Sequence, residues 1–233
     1  MKNIKFKDNG PEVLDLQNQL IKLFYTLSPD SDFGKNTLAA IQAFQTLHSI
    51  PVTGVVNDAT YTAIINDVFL NTSVVDKSSM DKIAKLHPKI RHEILFLVKE
   101  CFAKTGIKIR IAQGLRTFAE QAAIYAQGRT TPGKIVTKAN AGLSNHNYGL
   151  AIDFVILKSD GTVSWDTYVD ADHDGQRDWI EVINIFKSRG YKSGIDWNFV
   201  DAPHLEKMFG LSIRQLLDLH NSGKIDKEGY VLV

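Results

Sequence analysis

Several features common in other protein classes are scarce in this chain. It has one cysteine, Cys101, so no internal disulfide can form and the disulfide-framed class of small secreted domains is excluded. No segment approaches the roughly 18 consecutive apolar residues of a membrane-spanning helix. Net charge is nearly absent: 27 Lys and Arg against 26 Asp and Glu leave +1, so nothing draws the whole molecule to nucleic acid or to an anionic membrane. The opening MKNIKFKDNGPEV is basic but lacks an apolar core, so neither a signal peptide nor a membrane anchor is expected. If the protein works outside the cytoplasm, something else must let it out. There is also no HExxH, since Phe96 stands where a second histidine would follow His92-Glu93. Apolar side chains, by contrast, are plentiful: 44% of 233 residues, enough for a core and too many for a disordered chain.

The length accommodates one large domain or two modest ones. Residues 12–25 place Val13, Leu16, Leu20, Leu23 and Phe24 at helical spacing. A loop through Asp30, Ser31, Asp32 and Gly34 follows, and residues 35–47 resume the pattern with Leu38, Ile41, Phe44 and Leu47. After the turn PVTG, Asn57 or Asp58 can cap a third helix that carries Tyr61, Ile64, Ile65 and Val68 on one face. These features predict a small all-α domain of three helices over residues 1–70, and NTSVVDKSS, residues 71–79, reads as a polar linker. A DNA-binding helix-turn-helix is set aside, because residues 1–70 carry five lysines and no arginine against seven acids. From about residue 80 the pattern changes. Helices are expected at 89–105, 117–127, 178–189 and 212–221, with strands at 107–114 and 150–157, which makes residues 80–233 one α+β domain. Cys101, in ILFLVKECFA, is expected in its core.

The sharpest signal is SNHNYGLAIDFVIL. Its run from Leu150 to Leu157 is apolar on both faces except at Asp153, and an unpaired carboxylate in a covered strand costs several kcal/mol. Asp153 therefore needs a cation, and His146, seven residues earlier, indicates a metal. A third ligand is available in His204 of DWNFVDAPHLE, stiffened by Pro203. His, Asp and His with a vacant fourth position is the arrangement of a catalytic zinc, which lowers the pKa of bound water to about 7. His48, His87, His92 and His220 show no metal-like spacing and read as surface residues.

Two resemblances sharpen this reading. GPEVLDLQNQL, DFGKNT, AIQAFQ and VTGVVNDAT resemble the peptidoglycan-binding module of cell-wall hydrolases, although Ser31-Asp32 replaces the usual Asp-Gly before Phe-Gly. SNHNYGLAID and DAPH, together with GLRTFAEQAAIYAQGRT, are similar to the zinc peptidases of the D-Ala-D-Ala metallopeptidase and hedgehog-like fold, specifically the L-alanyl-D-glutamate peptidases used as phage endolysins. The resemblance implies zinc on His146, Asp153 and His204, with Asp201 as general base; Glu206 is a rival because i and i+2 share a face on a strand, and the family pattern favours Asp201. It implies Arg116 as the group that holds a substrate carboxylate or the oxyanion, and Ser144 as a substrate-positioning residue. The implied partner is bacterial peptidoglycan, cut between L-Ala and D-Glu by a monomer. That monomer is made in a host cytoplasm and reaches the wall through a separate membrane pore. A D-Ala-D-Ala carboxypeptidase, a bacterial autolysin and a non-catalytic wall-binding protein are the alternatives.

DADHDGQRDWIE, residues 170–181, also fits the calcium-loop pattern D-x-D-x-D-G-x₅-E. Asp170, Asp172, Asp174, Asp178 and Glu181 would offer carboxylates and Gln176 its backbone carbonyl, while Gly175 permits the sharp turn. Arg177 replaces the usual apolar residue and no clear helix precedes the loop, so an isolated EF-hand-like loop is expected.

Overall fold

The computed structural model describes residues 3–171 and 173–233. Three helices open the chain: α1 (Pro11–Lys22), α2 (Lys35–Leu47) and α3 (Asp58–Ser73). Pro11 starts α1 at a position where its missing N–H is no loss. Asn57 caps α3 by accepting from the Thr60 backbone N–H. Leu16, Leu20, Phe33, Ile41, Phe44 and Ile64 close the bundle and are fully buried. The buried Gln17 amide pins the loop before α2. It donates to Asp30 Oδ1 and the Asp32 carbonyl at 2.8 and 3.0 Å and accepts from the Ser31 N–H at 3.0 Å. That network holds Ser31 and Asp32 in place ahead of α2.

Residues 71–79 correct the linker expectation. Helix α3 runs to Ser73, and α4 (Lys77–Ile83) begins at Lys77 with Asp76 accepting from the Ser79 N–H as its N-cap. The small polar residues there end one helix and cap the next, so composition alone misread them.

The α+β part follows: α5 (Pro88–Thr105), β1 (Ile109–Gln113), α6 (Phe118–Ala126), β2 (Ala151–Leu157), β3 (Val163–Ser164), α7 (Asp178–Lys187), β4 (Lys192–Ser193), β5 (His204–Glu206) and α8 (Ile213–Asn221). The sheet is antiparallel in the order β1-β2-β5-β4, with β3 paired to β2. Strand β2 is central and covered on both faces, as its composition required: Ala151, Ile152, Phe154, Val155 and Ile156 are all buried, with Phe154 against Trp179 of α7. Cys101 is fully buried in α5. Among the described residues, no helix is long and apolar enough to cross a membrane.

Helices α3 and α5 join the two parts through a buried ion pair. Lys99 Nζ sits 2.5 Å from Asp67 Oδ1 and also donates to the Asp67 carbonyl and to Asn71 Oδ1. His48 Nε2 lies 3.3 Å from Asp67 Oδ2, and its ring stacks on Phe44 and meets Phe96 edge-on. His92 stacks on Tyr25, and the fully packed His87 accepts from the Lys89 N–H at the start of α5. The surface expectation therefore fails for His48, His87 and His92, which serve the packing, and holds for the exposed His220. Burial pulls the Lys99 pKa down, whereas for Asp67 the contacts with His48 and Lys99 outweigh burial and hold the carboxyl below its usual range.

Removing the cation strands a buried carboxylate. Lys99→Met is therefore expected to lose about 3–5 kcal/mol in urea unfolding, and adding Asp67→Leu to it should recover much of that loss. A single variant as stable as the parent would show that the pair does not hold the two parts together.

Candidate metal centre

The register of the sheet builds most of the site. In the β2–β5 pairing Asp153 lies directly opposite His204, so two side chains far apart in sequence become cross-strand neighbours. His146 arrives from the 3₁₀ turn Asn145–Tyr148, which ends at Gly149 with φ 65°, a left-handed conformation suited to glycine. A Cβ at Gly149 would also run into the His87 backbone, so the turn is held close against the start of α5.

Each imidazole is oriented by the hydrogen bond on its far side. His146 Nδ1 lies 2.8 Å from the Gly114 carbonyl, which only an N–H can satisfy, leaving Nε2 as the free lone pair. His204 Nε2 lies 3.0 Å from Glu206 Oε2, leaving Nδ1 free. His146 Nε2, His204 Nδ1 and Asp153 Oδ1 then form a nearly equilateral triangle with sides of 3.2, 3.2 and 3.3 Å. A tetrahedral zinc with bonds of about 2.0–2.1 Å sets its ligands about 3.3 Å apart, so the donor set fits that ion. Burial alone would lower the His204 pKa, but its bonds to Asp153 and Glu206 raise it to about 9. Burial would raise the Asp153 pKa, but the two histidines hold it far below the usual carboxylate range.

This triangle lies in a cleft of about 750 Å³ that Arg116, Ser144, Asp201 and Trp197 also line. Asp201 is held by its backbone: its N–H donates to the Gly194 carbonyl at 2.9 Å and its own carbonyl accepts from the His204 N–H. Burial, followed by the nearby Asp153 charge, raises the Asp201 pKa. Glu206 is engaged differently. Its Oε2 accepts from His204 Nε2 and, at 2.6 Å, from Asn145 Nδ2, and these bonds outweigh burial and lower its pKa. A carboxylate committed in this way orients a metal ligand and is a poor general base. Arg116 Nη1 donates at 2.9 Å to Oε1 of Gln121, whose own Nε2 donates to the Ala139 carbonyl.

Sequence reasoning brought His146, Asp153, His204, Asp201, Arg116 and Ser144 into one cleft, and it missed four supports. Gln121 fixes Arg116, Asn145 fixes Glu206, and Trp197 packs its ring 4.9 Å from that of His204. Gly194 lies so close to the Asp201 carbonyl that any Cβ would displace it. Only the spacing of Gln121 from Arg116 along one capped helix start offered a hint.

The calcium loop is less complete. Asp172 lies outside the described residues. Asp170 accepts from the backbone N–H groups of Asp174 and Gly175, and Asp174 from that of Gln176. Gly175 has φ 89°, and α7 starts at Asp178 with Glu181 in its first turn. Among the described residues, the cluster with metal-ligand geometry is His146, Asp153 and His204.

Two outcomes follow for metal binding. Because the raised His204 pKa means a proton must leave before metal enters, zinc affinity measured by chelator competition should be tighter at pH 8 than at pH 6. Glu206→Gln should weaken it about 10–100-fold at fixed pH, and an unchanged affinity would remove the orienting role of Glu206.

Residues 9–64 match the family described as putative peptidoglycan binding domain, and residues 137–207 match D-alanyl-D-alanine carboxypeptidase. The peptidoglycan L-alanyl-D-glutamate endopeptidase CwlK of Bacillus subtilis is 48% identical over 122 residues, 52% of this chain and 72% of that protein. The L-Ala D-Glu endopeptidase ChiX of Serratia marcescens aligns with 57% of this chain and 88% of its own, at 20% identity and a TM-score of 0.39. A fused Zn-dependent amidase/peptidase with a peptidoglycan-binding domain from Clostridium acetobutylicum aligns over 27% of this chain at 32% identity and a TM-score of 0.27. That alignment spans only 28% of the Clostridium chain. Neither superposition is extensive enough to bear on function. The identity with CwlK does bear on ancestry, and by it the chain belongs to the family of peptidoglycan-directed peptidases of the D-alanyl-D-alanine carboxypeptidase type.

Proposed function

We propose that this protein is a zinc endopeptidase that cleaves the L-Ala–D-Glu bond of the peptidoglycan stem peptide. The observation that carries the reading is the triangle of His146, Asp153 and His204 with Asp201 beside it, in a chain 48% identical to an L-alanyl-D-glutamate endopeptidase. Zinc at these three residues supplies a Lewis acid for the scissile carbonyl and lowers the pKa of water. Asp201 takes the proton from the attacking water and passes it to the departing D-Glu amine. The burial that raises its pKa strengthens it as a base toward the water. Arg116, braced by Gln121, offers its free guanidinium N–H groups to the oxyanion or to the carboxylate of D-Glu. Ser144, at the cleft wall before the 3₁₀ turn, positions the substrate backbone.

Residues 1–70 serve as the wall-targeting unit and residues 80–233 as the peptidase, acting as a monomer. The lytic role is that of an endolysin: the enzyme is made in a host cytoplasm and admitted to the wall by a separate pore. The loop at 170–181 takes calcium as a regulatory ion, with Asp170, Asp174, Gln176, Asp178 and Glu181 joined by Asp172. The spacing of these ligands and the sharp turn at Gly175 support that assignment.

Asp201→Ala should keep one zinc per chain by metal analysis while losing about 10²–10⁴-fold in turnover. Near-parental turnover would assign the base elsewhere. Mass spectrometry of fragments from purified peptidoglycan should show a new amino terminus on D-Glu. Release of free D-Ala instead would establish the carboxypeptidase specificity that the family description carries. Calcium added to zinc-loaded protein should raise the thermal midpoint, and Glu181→Ala should abolish that rise. A midpoint indifferent to calcium would eliminate the loop as a calcium site.

A further inference from the structure

The two flanks of the cleft differ in chemistry. In the order β1-β2-β5-β4, Asp153 and His204 lie on the inner strands with His146 on the turn ahead of β2, while Arg116 follows the outer strand β1 and Trp197 the outer strand β4. The Arg116 flank is cationic and polar. On the other flank Trp197, 39% exposed, lines the cleft, and the exposed Phe199 (65%) and Val200 (61%) follow it outside the lining. Val136, 60% exposed, adds to the cleft lining from the loop before the 3₁₀ turn. Lys138 of that same loop places its ammonium 4.4 Å above the Phe199 ring, so the two loops meet at the rim. Exposed apolar side chains gathered beside a reactive site mark a ligand surface.

The proposed stem-peptide substrate, on which this inference rests, identifies what that surface meets. The L-Ala of a stem peptide is joined through its nitrogen to the lactyl group of an N-acetylmuramyl sugar. One residue spans only about 3.8 Å, so with the L-Ala carbonyl at the metal the lactyl group and sugar ring must lie against a wall of this cleft. On the other side of the bond, D-Glu carries a carboxylate, which matches the cationic Arg116 flank. The sugar side offers neutral material: the lactyl methyl, the acetamido methyl and the C–H face of a pyranose. These fit the faces of aromatic rings, which bury large apolar area without requiring a charged partner.

We propose that Trp197 and Phe199 form a subsite for the N-acetylmuramyl group, so that the enzyme reads the sugar as well as the peptide. Trp197 lines the cleft with its ring 4.9 Å from that of His204, and Phe199 stands two residues further along the same exposed loop, under Lys138 of the loop that also lines the cleft. The Lys138 ammonium stands over one face of the Phe199 ring, which remains 65% exposed. These are specificity-determining residues, and their effect falls on KM for muramyl substrates.

The test compares two substrates with the same stem peptide, one bearing N-acetylmuramic acid on L-Ala and one bearing a simple acetyl group. The native enzyme should prefer the muramyl substrate by roughly 10-fold or more in kcat/KM, mainly through KM. Phe199→Ala should reduce that ratio several-fold, as loss of one aromatic contact of about 1 kcal/mol requires, and Phe199→Trp should restore it. Equal kcat/KM for the two substrates, or a ratio unmoved by Phe199→Ala, would overturn the subsite. Binding of N-acetylmuramyl-L-alanine to the zinc-loaded protein, followed by Trp fluorescence and compared with N-acetyl-L-alanine, separates this proposal from the choice of bond. Preferential binding that weakens in Phe199→Ala supports the subsite even if neither substrate is cut, in which case the bond assignment fails. Equal binding of the two ligands overturns the subsite even if both substrates are cut.

Discussion

The pairing of β2 with β5 is the constraint on which the site depends. A register that sets Asp153 opposite His204 brings a carboxylate and an imidazole within 3.2 Å of each other, and the 3₁₀ turn supplies the third acceptor from the same end of β2. A shift of one residue would turn Asp153 to the other face of the sheet and dismantle the triangle. The apolar neighbours of Asp153 fix that register, because Ile152 and Phe154 cannot leave the core. Hydrophobic burial thus positions the metal ligands, and the metal in turn makes a buried carboxylate tolerable.

Around the triangle, two carboxylates of similar chemistry are driven apart by their surroundings. Glu206 is tied to His204 and Asn145 and stays ionised, whereas Asp201 lies near the Asp153 charge with its proton affinity raised. Environment, more than residue type, separates the orienting group from the base. Gly194 opens a second 3₁₀ turn, Gly194–Asp196, and its missing side chain lets the Asp201 backbone close onto it. Behind the site, α5 carries Lys99 into a buried pair with Asp67, so the helical unit and the peptidase share continuous packing.

Much of this was legible in the sequence because the signals were periodic or chemically costly. The long helices stood out by their apolar spacing, and α5 starts within one residue of its expected position. Asp153 stood out because an unpaired carboxylate in an apolar strand demands a cation. The misreadings share a physical cause. Residues 71–79 are rich in Ser, Thr, Asn and Asp, which serve both linkers and helix caps, and only the Asp76 bond to Ser79 decides between them. His48, His87 and His92 carry no periodic signal, and their burial comes from partners distant in sequence. Strands β4 and β5 are too short to show alternation, so the roles of Gly194 and Glu206 emerge only from the sheet register.

Crystallography of the zinc-soaked protein with anomalous data at the zinc edge would locate the ion. One ion is expected about 2.0–2.2 Å from His146 Nε2, Asp153 Oδ1 and His204 Nδ1, with Glu206 still bonded to His204 Nε2. An ion bound instead between His204 Nε2 and Glu206, or no ordered ion between β2 and β5, would contradict it.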